Sequence, residues 1–141
     1  MSGYTWAEGA AAVAAHAERD WEGLWSLLFA AGKAAYRLSL VAPPDVGAVL
    51  AFAAMDVCEA RDEVAWAHPD VPRTAIAVDL GPVAPSISPE AGRAAILLLL
   101  HTAAERVAAL EALEGTSEDD LLGRIRSRIR AAKTAFTGPA R

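Results

Sequence analysis

The chain has 141 residues and a net charge of −5, which suits one domain with one hydrophobic core. Its longest apolar stretches, 46–55 and 94–100, fall short of the roughly 18–20 residues that cross a bilayer. Cys58 is the only cysteine, which excludes an internal disulfide and a cysteine-based zinc site.

Alanine supplies roughly a quarter of the residues, above ordinary usage. Eleven arginines stand against two lysines. Together these point to a GC-rich bacterial genome. The stretch MSGYTWAEGAAAVAAHAERD carries Glu8 and no basic n-region, so it does not read as a secretory signal, and a cytoplasmic location is expected. The charge is divided unevenly: residues 1–117 balance to −8, and residues 118–141 to +3.

The pattern predicts helices separated by proline-bearing breaks. Thr5-Trp6-Ala7-Glu8 fits a capping box. From there Trp6, Ala10, Val13, Ala17, Leu24, Leu28, Ala31, Ala35 and Leu38 keep one helical phase. An uninterrupted helix over 6–39 would be about 50 Å long. An interruption is expected instead, with Asp20 as a second N-cap and Gly23 or Gly32 as bend points.

Pro43-Pro44 ends that unit, and Asp45 reads as the N-cap of a helix over 45–67. Its core stripe would be Val46, Val49, Leu50, Ala53, Val57, Ala60 and Val64. A second face carries Phe52, Met55, Glu59 and Trp66. Residues 69–88, PDVPRTAIAVDLGPVAPSIS, show no helical period, and TAIAVDL could be extended. Unstructured connections this long are usually functional. Its apolar side chains, among them Ile76, Val78 and Leu80, predict packing on the helices.

Ser88-Pro89-Glu90 opens the next helix, which should run to about Glu114 and stop at Gly115. Ser117-Glu118-Asp119-Asp120 opens the last, ending near Phe136. The expected architecture is therefore all-α: one domain over 1–141, an antiparallel bundle of four or five helices with one long Pro-rich apolar connection at 69–88, and frayed ends near 1–4 and 137–141.

The run AILLLLHTAAE in the 89–114 helix raises a question of cover. Ile96, Leu99, Leu100, Ala103, Val107 and Leu110 form its core stripe. Leu97 and Leu98 lie off it, and connection 69–88 or a second protein chain must cover them. His101 and Glu105, four apart, are spaced for a hydrogen bond. A general-base reading of His101 needs a nucleophile or pocket, and none is identifiable. His16 and His68 lie in other contexts, so no metal site is expected.

In the last helix Arg124 and Arg128 border the apolar stripe on one side, with Arg126, Arg130 and Lys133 on the other. Such borders pair with acids on neighbouring helices, and Glu105, Glu111, Glu114, Asp56, Glu59, Asp62 and Glu63 are available. A DNA-reading helix would aim its cations outward as a patch. Trp21, Trp25 and Trp66 either fill gaps between alanine-rich helices or line a ligand pocket.

Nucleotide-binding loops and GxSxG or kinase signatures are absent, and no catalytic residue, metal or cofactor is assigned. The leading expectation is a non-enzymatic helical interaction protein, acting by self-association, for example as a homodimer, or by binding another protein through Leu97, Leu98, His101, Ile76, Val78 and Leu80. The alternatives are a small-molecule binder or enzyme with a pocket at Trp21, Trp25 or Trp66, and a regulator touching nucleic acid through Arg124, Arg126, Arg128, Arg130 and Lys133. Nucleic acid and membrane partners are disfavoured.

Overall fold

A computed structural model describes residues 5–84, 87–114 and 118–137. Six helices pack together: α1 (Trp6–His16), α2 (Trp21–Val41), α3 (Pro44–Ala67), α4 (Val71–Thr74), α5 (Pro89–Glu114) and α6 (Asp119–Thr137). No strand occurs among the described residues. Among them no helix is long and apolar enough to cross a membrane.

The first unit is broken at 17–20. The Thr5 hydroxyl accepts from the Glu8 amide at 3.1 Å, and the Glu8 carboxylate accepts from the Thr5 amide at 3.0 Å, completing the capping box of α1. Asp20 restarts the chain as N-cap of α2, accepting from the Gly23 amide at 2.8 Å. The turn is tight enough that a Cβ on Gly23 would lie 1.9 Å from the Glu18 carbonyl oxygen.

Three expectations for residues 44–74 need correction. Pro43 is the N-cap of α3 and Pro44 its first residue, so Asp45 sits inside the first turn, where its charge suits the helix dipole. Val49 is 52% exposed, because the buried face centres on Leu50, Val57 and Val64 at seven-residue intervals and Val49 lies about 100° away. Connection 69–88 contains the short helix α4, which Pro72 favours in its first turn. Six helices therefore replace the expected four or five. The stop at Gly115, the cap at Ser117 and the frayed ends at 1–4 and 138–141 lie outside the described residues. Thr137 is still helical.

α2 lies at the centre, against α1, α3, α4 and α5. It is buried almost all round, with Leu24, Leu27 and Leu28 fully enclosed. Ala30, Ala31, Gly32, Ala34 and Ala35 let the neighbours approach closely. Leu99, Leu100, Val107, Ile125 and Ile129 complete the core from α5 and α6. Each buried side chain of this size contributes about 1.5–3 kcal/mol relative to exposure.

Candidate functional site

The leucine run of α5 is covered from an unexpected side. Ile96, Leu99 and Leu100 are fully buried, Leu97 is half-buried, and Leu98 remains 39% exposed. Leu97, Leu98 and His101 share a shallow depression with Lys133 and Thr137 of α6. Connection 69–88 was one of the two covers expected there, a second protein chain being the other. The connection runs instead over α1 and α2, because its polar anchors are there. His101 does not pair with Glu105: its Nδ1 lies 3.4 Å from the Lys133 ammonium, while Glu105 turns toward Arg106 at 3.6 Å.

The arginines of α6 face carboxylates of neighbouring helices. Arg124 and Arg128 grip the two oxygens of Glu63 at 2.8 and 3.2 Å, and Arg128 also meets Glu59. Arg126 pairs with Glu111 of α5. Burial pushes the Glu63 carboxyl up, but hydrogen bonds and charge from Arg124 and Arg128 outweigh it and hold it below the ordinary value. Asp62 bonds to Arg61 at 3.0 Å. Arg130 stands exposed on the same helix, and the Glu114 side chain lies outside the described set. These cations are spent largely on holding α6 to α3 and α5, which leaves little of the outward patch a nucleic acid would need.

The three tryptophans named from sequence are dispersed. Trp21 is buried and stacks on His68 with ring centroids 4.3 Å apart. His68 in turn bonds Glu118 at 3.0 Å, tying the end of α3 to the start of α6. The buried Trp21 Nε1 has no hydrogen-bond partner among the described residues. Trp25 stacks on Phe29 at 5.2 Å, and Trp66 is 76% exposed. None of the four cavities described has a tryptophan in its wall.

Two other features emerge. The first is a groove of about 320 Å³ between α2 and α3, walled by Tyr36, Ala51, Ala54, Met55 and Cys58, with Lys33 and Arg61 at its edge. Tyr36, Leu40, Phe52 and Met55 on and beside it are each more than half exposed. Sequence reading isolated Phe52, Met55 and Trp66 as a second face of α3 but did not assign them to an interface.

The second is a strap, residues 75–84, laid in non-helical conformation over α1 and α2. Asp79 accepts from Nε and Nη2 of Arg37, at 2.9 and 2.7 Å, and from the Gly81 amide at 2.8 Å. The Arg37 hydrogen bonds hold the Asp79 carboxyl below its ordinary value against the effect of partial burial. Trp6 Nε1 donates to the Gly81 carbonyl at 3.3 Å, and the Thr74 hydroxyl donates to Glu22 at 2.6 Å. Gly81 turns the strap with a φ of +91°, a region that glycine enters without strain. Val78 and Leu80 pack on the core, while Ile76 is 67% exposed. Beneath the strap lies a largely apolar cavity of about 290 Å³.

Among the described residues no group of three or more His, Cys, Asp or Glu is placed to hold a metal ion. Arg106, which the sequence reading did not single out, is 9% exposed and hydrogen-bonds backbone carbonyls of α1. Its signal was a lone arginine on the apolar stripe of α5, one position from Val107. No protein-family model, curated protein or solved structure matches this chain.

Proposed function

We propose that this protein is a small, non-enzymatic helical interaction protein, an antiparallel bundle that uses the outward face of α2 and α3 to dock a second copy of itself. The observation that carries the reading is the set Tyr36, Leu40, Phe52 and Met55, large apolar side chains left more than half exposed around one groove. Tyrosine, phenylalanine and methionine are enriched at protein interfaces.

The charges beside the groove favour a self-complementary contact. Lys33 of α2 and Arg61 of α3 edge the groove, and Glu59, which Arg128 meets but which stays half exposed, lies on the outward side of α3. A two-fold axis places each patch against its own copy, so the cationic edge of one can meet the acidic edge of the other. Burying the exposed parts of eight such side chains contributes about 6–12 kcal/mol, roughly half the full-burial value. Association costs about 4–15 kcal/mol. At the favourable ends of both ranges about 8 kcal/mol remains, which corresponds to a dissociation constant of about a micromolar, and the dimer should form with concentration.

Sedimentation equilibrium tests this directly. The wild-type chain should show a monomer–dimer equilibrium, and Phe52→Glu combined with Met55→Glu should shift it to monomer with helical content unchanged. A wild-type monomer at every concentration overturns the proposal.

A further inference from the structure

The cavity beneath the strap is a distinct site that shares no wall residue with the groove of the proposed docking face. Ala12, Val13 and His16 of α1, Ser26 of α2, and Val78 and Leu80 of the strap contribute to its wall. At about 290 Å³ it is roughly twice the volume of a dry engineered cavity that holds benzene. Its lining is mostly hydrocarbon, which gives water few partners and makes an apolar occupant the better fit.

One polar group breaks that lining in an informative way. Ser26 is 8% exposed, in the second turn of α2, and its hydroxyl makes no hydrogen bond among the described residues. The helical threonines Thr102, Thr134 and Thr137 all donate to the carbonyl four residues earlier. That arrangement is the usual one for a helix hydroxyl. Ser26 leaves it unused and presents its hydroxyl to the cavity. A hydroxyl in the cavity wall with no bond to the protein is left to the occupant of the cavity, so a ligand that completes it gains specificity as well as energy.

The charged groups nearby are already engaged. Asp79 is neutralised by Arg37 and the Gly81 amide, and His16 Nδ1 is joined to the Ala12 carbonyl at 2.8 Å. Among the described residues no unpaired lysine or arginine lines the cavity to receive an anionic head group. We infer that the cavity binds a small neutral molecule, mainly hydrocarbon, with one hydroxyl or carbonyl group that hydrogen-bonds Ser26. The strap, fastened at Trp6, Glu22 and Arg37, forms one wall, and the cavity is open to solvent beside the exposed His16 and Ile76.

Titration of the full chain with 1-octanol, followed by two-dimensional amide NMR, tests the inference. Saturable shifts confined to residues 9–17, 24–28 and 76–81 are expected. Octane should bind several-fold more weakly, and octanoate should not compete. Ser26→Ala should reduce 1-octanol affinity about fivefold while leaving octane affinity unchanged. Ala12→Leu, which fills the space, should weaken both. If 1-octanol produces no saturable shifts, or if Ser26→Ala leaves its affinity unchanged, the inference is overturned. Neither result bears on self-association, which sedimentation reads independently.

Discussion

Arg106 of α5 closes the end of α1: its guanidinium donates to the carbonyl of Ala17 at 2.9 Å and reaches that of Ala14 at 3.4 Å. Those carbonyls belong to the last turn and C-cap of α1, where no intrahelical donor remains and the helix dipole is negative. A buried cation there serves as both cap and tether. Arg106→Ala should destabilise the protein by about 2–3 kcal/mol. Arg106→Lys should recover only part, because one ammonium cannot span both carbonyls as the planar fork does. Denaturant unfolding gives the magnitude, and faster hydrogen exchange confined to the amides of α1 would show where the loss lies.

Gly81 offers a test of backbone strain with sterics removed. A Cβ there would meet nothing within 4 Å, yet φ is +91°. Gly81→Ala should therefore cost about 1 kcal/mol through backbone conformation alone. The strap should loosen with it, and Trp6 emission should shift to the red as its bond to the Gly81 carbonyl weakens. An unchanged melting temperature would show that the turn relaxes freely.

Acid should unfasten the molecule at two places. Glu63 and Asp79 both have folded pKa values below their ordinary ones. Each binds a proton less readily folded than unfolded. Their stabilisation is complete above the unfolded value of about 4 and is lost as pH falls through the lower folded value. The melting temperature should hold from neutral pH to about 5 and decline below 4. Glu63→Gln and Asp79→Asn should each lower stability at neutral pH and flatten that decline.

The α3–α6 contact should be electrostatic in its response. Replacing Arg124 and Arg128 together by alanine leaves the largely buried Glu63 unpaired and should cost about 2 kcal/mol. The loss should shrink at high salt as exposed members of the network are screened. Retention of the wild-type protein on heparin should be weak and little changed by Arg126→Ala with Arg130→Ala. Strong retention abolished by those substitutions would restore a nucleic-acid role to α6.

Local chemistry was the most readable part of the sequence. Thr5 with Glu8, and Asp20, state where helices begin because caps depend on neighbours a few residues apart, whereas Gly23, read as a bend point, is the amide that Asp20 caps. The stripes of α5 and α6 were readable for the same reason. Val49 was misplaced because it and the adjacent Leu50 both fit a stripe, and only packing decides which faces inward. Leu27 and Trp25 lie off their stripe yet are buried, because α2 is surrounded. The apolar run LWSLLFAAGKAA carried that signal. The course of residues 69–88 was not readable: Asp79 chooses Arg37, 42 residues away, and nothing local to either announces the other. The cavity beneath the strap follows from that choice, and so could not be seen in the tryptophans.

The tether between Arg106 and Ala17 joins residues 89 positions apart in the chain. During synthesis from the N-terminus, α1 emerges long before α5 exists. Its apolar face, Trp6, Ala10 and Val13, then has only α2 to rest on, and α2 itself lacks most of its neighbours. Of the described helices α1 thus waits for α5 to be locked, and a nascent chain halted before residue 106 keeps that tether unmade. Contacts this distant in sequence slow folding, because a long loop must close before they form. The N-terminal helix is accordingly where a chaperone would find its longest-lived opportunity to bind this chain.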